Sequence, residues 1–265
     1  MSRASRRAGV LLVDIGNTRV KWAWLVGGRL GRQHAAAHAG WKRDDFAREL
    51  FGAARLAESV ARILAVSVGG ERLNRLFGTA ARQCTGIEPE FFASQRTVGG
   101  VTTQYSEPWR LGADRLVGAI GAHHLARGHA VCVIGVGTAL TLDLVDARGH
   151  HRGGAIVPAP TLMKDSLLTK TSGIRRRAQG GSAAGRFFAR STRAAIEQGS
   201  RYAAAAVIDR AVAEARKIVG RRPRVLLTGG GAADLRPLIR SRHLFVPDLV
   251  LQGLAVLAGN SANRS

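Results

Sequence analysis

The apolar residues of this chain fall into short continuous or alternating runs broken by glycine, the signature of strands, and into longer stretches at helical spacing. Val10 to Val13 form a continuous apolar run of the kind a buried strand needs, and Asp14 closes it. Val20, Trp22 and Trp24 then alternate with Lys21 and Ala23, so Val10 to Leu25 reads as a β-hairpin with its polar tip at Gly16-Asn17-Thr18. Gly16 can take backbone angles that a Cβ would forbid, which would let nearby N–H groups point outward together and hold phosphate. Asp14 would then be a metal-side carboxylate beside the turn. An ordinary Asn/Gly turn has the same pattern, so these residues alone leave both readings open.

Further along, Arg29 to His38 reads as a third strand and Trp41 to Leu56 as a helix carrying Phe46, Leu50 and Ala53 at helical spacing. Ala61 to Val68 is an apolar strand ending at Gly69-Gly70, followed by a helix over Glu71 to Gln83 and a strand over Glu88 to Ala93. Thr97 to Pro108 has no clear period and reads as a loop leading into a helix over Leu111 to Ala126. The second half repeats the plan. Ala130 to Ile134 is a buried strand, Gly135 to Thr138 a glycine turn, Leu140 to Val145 an alternating strand and Gly149 to Val157 a third. Thr161 to Thr169 and Arg193 to Val219 read as helices separated by a mobile loop, Gly173 to Gly185. Arg224 to Leu227 runs as a strand into Thr228-Gly229-Gly230-Gly231, a natural nucleotide edge, before a helix over Ala232 to Ile239. A short strand, Leu244 to Val246, and a helix, Asp248 to Ala258, close the pattern. Gly16 and Gly137 lie about half a chain apart, as two similar domains require.

Composition narrows the class. With 265 residues, 46% hydrophobic content and a mean hydropathy of −0.01, the chain can bury the cores of two soluble domains. No apolar run approaches the ~20 residues that cross a bilayer. The N-terminal SRRAGVLLVD has paired arginines, but its apolar stretch stops at Asp14, short of an export signal, so the expected location is the cytoplasm. Cys84 and Cys132 both sit among apolar residues, match no metal-ligand or disulfide spacing, and are expected to be reduced core thiols. The net charge of +22 would favour anionic partners with strong salt dependence. The arginines are nonetheless dispersed from Arg3 to Arg222, and an aromatic content of 5% is too sparse for stacked bases, so a dedicated nucleic-acid site is not expected.

No GxxxxGK[ST] loop and no GxGxxG turn is present, which calls for another phosphate-binding design. Two glycine hairpins, Asp14 to Thr18 and Gly135 to Ala139, with the later glycine corner, resemble the sugar kinase, actin and Hsp70 superfamily. Within it the chain resembles type III pantothenate kinase over nearly its whole length. The motifs are DIGNT at Asp14 to Thr18, YSEPWRLGADR at Tyr105 to Arg115, GTALTLD at Gly137 to Asp143, GGAIVPAP at Gly153 to Pro160 and STRAAIEQG at Ser191 to Gly199.

The resemblance implies an α/β fold of two duplicated ribonuclease-H-like, actin-like ATPase domains. Each would have a central mixed sheet, with the active site in the cleft between them. The expected division is 1–115, with the first phosphate hairpin, and 116–265, with the second hairpin and the dimer helices. ATP phosphates and magnesium are then expected at Asp14, Gly16, Asn17 and Thr18, with Arg19 and Lys21 alongside and Gly137 and Thr138 in the second hairpin. Asp14 is the expected metal ligand. Asp114 is implied as the general base for the pantothenate hydroxyl, and Tyr105, Gly112, Ala113 and Arg115 as substrate contacts. Thr192 would reach substrate from the partner subunit, making the homodimer functional. Asp143 reads either as a neighbour of this site or as a strand-end residue facing solvent.

Two departures from the family pattern stand out. The aspartate that binds a monovalent cation, potassium or ammonium, in many members is Gly135 here, so a cation would rest on backbone carbonyls or another side chain. The usual Pro-Gly after the GGxxxP segment is Pro158-Ala159-Pro160. The implied activity is ATP-dependent phosphorylation of pantothenate to 4′-phosphopantothenate, which opens coenzyme A biosynthesis. The competing readings are a non-catalytic nucleotide-binding regulator that contacts nucleic acid through its basic surface, and a kinase of the same superfamily acting on another small hydroxyl compound.

Overall fold

The computed structural model describes residues 9–52, 60–180 and 186–262, the last three as backbone alone. The chain divides into two compact units, one formed by residues 1–125 with 248–265 and the other by residues 126–247.

The first unit opens with β1 (Gly9–Ile15) and β2 (Arg19–Val26), followed by β3 (Arg29–Leu30), β4 (His34–Ala37), α1 (Arg43–Phe51), β5 (Val60–Ser67), α2 (Glu71–Thr85) and β6 (Glu90–Phe91). β1 is antiparallel to β2 and parallel to β5, which is parallel to β6; β3 and β4 both pair with β2. Strand alternation sends Leu11, Val13 and Ile15 to one face, where they meet Phe46, Leu50 and Phe51 of α1 and Leu73 and Phe77 of α2 in a single core. It leaves Leu12 and Asp14 on the opposite face. The hairpin β7 (Thr97–Val98) and β8 (Val101–Thr103), a 3-10 turn (Pro108–Arg110) and α3 (Ala113–Ala126) follow.

The second unit is built from β9 (Val131–Val136), β10 (Ala139–Val145), β11 (His150–Pro158), α4 (Pro160–Lys170), α5 (Ser172–Arg177), α6 (Thr192–Val219), β12 (Arg224–Thr228), α7 (Ala232–Leu235) and β13 (Leu244–Phe245). Its strands lie in the order β11-β10-β9-β12-β13. β9 is antiparallel to β10 and parallel to β12, the relation β1 has to β2 and β5. The two units therefore repeat one mixed-sheet plan. Ile134, Val136, Leu140 and Leu142 of the sheet pack with Ala204, Ile208 and Val212 of α6.

The last helix, α8 (Leu249–Ala262), belongs to the first unit and packs on β1 and β5. It touches α3 through backbone: a Cβ on Gly253 would lie 1.9 Å from the Val117 carbonyl oxygen, and one on Gly121 would lie 2.6 Å from that of Leu249. Gly253→Ala is therefore expected to destabilise the protein by about 3 kcal/mol, the upper range for overpacking, readable as a fall in the urea midpoint. A native midpoint would mean the helices separate without cost.

Several expectations need revision. A boundary after Arg115 would cut α3 in its first turn, whereas the units divide at its end and the C-terminal helix returns to the first unit. The single strand expected over Arg29 to His38 is interrupted: after the Gly31 N–H bonds the Trp24 carbonyl at 2.7 Å the chain leaves β2, and it rejoins β2 farther along as β4. The expected loop over Thr97 to Pro108 contains the β7–β8 hairpin and the start of the 3-10 turn. The expected loop over Gly173 to Gly185 is helical through Arg177, and its residues 181–185 lie outside the described residues. Ala53 and Leu56 of the helix expected over Trp41 to Leu56 also lie outside them. The helix expected over Ala232 to Ile239 tightens into a 3-10 turn at Arg236–Leu238, where Pro237 has no N–H to give. Cys84 is exposed on the last turn of α2, not in a core; Cys132 is buried, and burial with the nearby Asp143 charge pushes its thiol up to about 12.

Candidate active site

The antiparallel register of β1 and β2 pairs Asp14 with Lys21 across the strands and leaves Gly16 to Thr18 as the connection. Lys21 Nζ lies 3.5 Å from Asp14 Oδ2. Asp14 is only 6% exposed, and burial pushes its carboxyl up to about 6; Lys21 opposes this, and the Asp114 carboxylate adds to it. Asp14, Lys21 and Asp114 thus share one neighbourhood. The turn is held by the Gly16 N–H donating to the Arg19 carbonyl at 3.0 Å, and Asn17, Thr18 and Arg19 are exposed. Gly16 does not have a left-handed backbone, and a Cβ there would come 3.2 Å from the Arg19 oxygen, a tight contact.

Asp114 stands in the first turn of α3, where a carboxylate is favoured by the helix dipole. Its Oδ1 accepts the Arg115 N–H at 2.8 Å, and a Cβ on Gly112 would lie 2.9 Å from that oxygen. Gly112 therefore leaves room for the rotamer Asp114 adopts. Tyr105 faces the same turn: Arg115 Nη1 lies 3.4 Å from its hydroxyl. The Tyr105 segment is fixed by Arg96, which the sequence reading did not single out. The Arg96 guanidinium donates to the carbonyls of Thr103, Tyr105 and Ser106 at 3.3, 2.6 and 2.8 Å. His38 was also missed; its imidazole lies 2.8 Å from the Gly16 carbonyl oxygen.

Gly137, Thr138 and Thr192 belong to the second unit. There the β9–β10 connection is held by the Gly137 N–H donating to the Ala139 carbonyl at 2.9 Å, with Gly137 and Thr138 exposed. The glycine corner after β12 backs this turn: the Gly231 N–H donates to the Val136 carbonyl at 3.1 Å, and a Cβ on Gly229 would lie 2.3 Å from that oxygen. A Cβ on Gly135 would lie 2.6 Å from Thr141 Oγ1, so Thr141 occupies the space an aspartate would need. Asp143 is neither at a strand end nor solvent-facing. It is buried in mid-β10, 2.8 Å from Nε2 of the fully buried His151. Thr192 begins α6, whose N-cap Ser191 accepts the Ala194 N–H at 3.2 Å.

Two mixed sheets of the same strand order, each with a glycine turn between its first two strands, define an actin-like, sugar-kinase fold. Solved structures with this chain's fold include a protein described as a putative Baf family transcriptional activator from Campylobacter jejuni, at 18% identity, covering 96% of this chain and 99% of that one with a TM-score of 0.57. Another is a glucokinase from an Antarctic psychrotroph, at 12% identity, covering 96% and 99% with a TM-score of 0.50. The family description "Type III pantothenate kinase" matches residues 10–214. A protein of that name from Nitrosococcus oceani is 34% identical over 257 residues, 96% of this chain and 95% of its own. The chain belongs to the type III pantothenate kinase family.

Proposed function

We propose that this chain catalyses ATP-dependent phosphorylation of pantothenate to 4′-phosphopantothenate, the first step of coenzyme A biosynthesis, and that the first-unit residues described above carry the chemistry. The observation that supports the mechanism is the neighbourhood of Asp14, Lys21 and Asp114, with the Tyr105–Arg115 segment ordered beside it. Asp114 accepts the proton of the pantothenate hydroxyl as that oxygen bonds the γ-phosphorus of ATP, and ADP leaves with the electrons of the broken phosphoanhydride bond. Arg115 and Tyr105 orient pantothenate, with Gly112 and Ala113 beside them. The turn Gly16-Asn17-Thr18, with Arg19, offers backbone N–H groups and small side chains to the ATP phosphates, and Lys21 adds a cation; the Gly137-Thr138 turn is the corresponding phosphate turn of the second unit.

Magnesium fits this donor set. A buried carboxylate pushed up by desolvation and by a second carboxylate is stabilised by a hard divalent ion, which is held by one or two carboxylates and substrate phosphates rather than by a protein cage. Asp14 would hold the ion, whose role when bound is to neutralise phosphate charge.

The homodimer with Thr192 completing the partner's site belongs to the same proposal. It is supported by an apolar groove of about 680 Å³ lined by Leu162, Met163 and Leu167 of α4 and Ile196 of α6. Among the described residues no helix is long and apolar enough to cross a membrane. The nucleic-acid regulator is not favoured. The likeness to a protein titled a transcriptional activator is at 18% identity and carries the fold alone.

Pantothenate-dependent ADP release from Mg-ATP tests the proposal, and its absence across sodium, potassium and ammonium salts overturns it. With Gly135 beside Thr141, turnover is expected to vary little among those salts.

A further inference from the structure

We propose that His38 is a positioning residue that aims the Asn17 N–H of the Gly16–Thr18 turn at phosphate; the inference rests on reading that turn as part of the nucleotide site. His38 directly follows β4 and is 6% exposed. It holds the turn by two bonds. Its Nε2 lies 2.8 Å from the Gly16 carbonyl oxygen, and its backbone N–H donates to the Thr18 carbonyl at 3.2 Å. A carbonyl oxygen only accepts, so Nε2 carries the proton.

No peptide bond among the described residues is cis, and in a trans peptide the C=O and the following N–H point in opposite directions. Turning the Gly16 oxygen to the imidazole therefore sends the Asn17 N–H away from His38. Turning the Thr18 oxygen to the His38 N–H does the same for Arg19. Loss of the imidazole frees the Gly16–Asn17 peptide to rotate, presenting an oxygen where a phosphate needs a donor. Attraction would become repulsion at that point.

The imidazole is itself fixed. The Trp41 N–H donates to the His38 carbonyl at 3.0 Å, and the Trp41 ring meets His38 edge-on at 6.4 Å and Phe46 of the core at 4.9 Å. Core packing of α1 is thus relayed through Trp41 and His38 to a backbone carbonyl of the turn.

Three variants test the idea: His38→Phe keeps a ring against Trp41 without a donor, His38→Gln offers an amide N–H near the place of Nε2, and His38→Asn is polar but too short to reach. The readouts are calorimetric affinity for a non-hydrolysable ATP analogue with magnesium, KM for each substrate, and the thermal midpoint. In H38F the analogue is expected to bind about tenfold more weakly, with KM for ATP raised alike, KM for pantothenate unchanged and H38Q near native. H38N should behave as H38F does, and it supplies the test if H38F does not fold. Native nucleotide affinity in a folded H38F or H38N overturns the proposal, as does an equal rise in both KM values. If the native protein binds the analogue but shows no pantothenate-dependent turnover, the kinase reading fails and the binding arm still decides the role of His38. If the native protein binds no nucleotide, the inference falls with the site it serves.

Discussion

Replacing Asp114 by asparagine is expected to lower pantothenate-dependent turnover by roughly 10²–10⁴ while leaving nucleotide affinity close to native, because the change removes the proton acceptor and little else. Asparagine has the same shape, its Oδ1 can still accept the Arg115 N–H, and Gly112 still leaves room for it. Turnover and analogue binding measured on the same preparation separate the two effects, and near-native turnover would remove Asp114 from the mechanism. The variant also has a signature elsewhere. Part of what holds the Asp14 carboxyl near 6 is the Asp114 charge, so neutralising position 114 should move the acid limb of magnesium-dependent nucleotide binding to lower pH.

Asp14→Asn is expected to lose roughly 10²–10³ in turnover and yet to unfold at a higher temperature than the native protein at pH 8. Burial raises the Asp14 carboxyl from 3.8 to about 6, so the folded chain holds this proton more tightly than the unfolded chain does. Between those values stability falls as pH rises. Above pH 6 the ionised, desolvated carboxylate costs up to about 3 kcal/mol. Asparagine escapes that cost, so the gain should be full at pH 8 and should vanish near pH 4, where the native side chain is neutral. Thermal unfolding without metal at both pH values checks this. A lower midpoint for the variant at pH 8 would mean that the Lys21 pair outweighs desolvation.

The parts of the fold legible in the sequence were those with a long enough period. The β1–β2 and β9–β10 hairpins, the helix α6 and the glycine corner after β12 each carry a pattern that physics reads in one way. The β7–β8 hairpin was missed because strands of two and three residues leave no alternation to see. The return of α8 to the first unit was missed because an apolar helix carries no mark of its partner; its packing on β1 and β5 and the close approach of Gly253 to Val117 are tertiary facts. Of the proposed site, Asp14, Asp114 and Tyr105 stand in motifs that carry the family resemblance, and Lys21 follows the first of them. His38 and Arg96 were not, since each acts on backbone carbonyls, and a carbonyl leaves no trace in residue identity. A histidine after an Ala-rich strand that pairs beside a glycine turn was the one available signal. Asp143 was ambiguous for a different reason. Its partner, His151, sits on the next strand, and a buried pair across a sheet reads from sequence as two ordinary polar residues.

The discontinuity of the first unit bears on how the protein is made. Residues 126–247 form a contiguous unit that can close as soon as they leave the ribosome, whereas the sheet bearing Asp14 is translated before them and waits for α8, which follows them. Throughout that interval one side of β1 and β5 lacks its covering helix. The unit whose sheet is made earlier is thus the one completed later, and a chain stalled before residue 249 would carry a complete second unit while β1 and β5 still lacked α8.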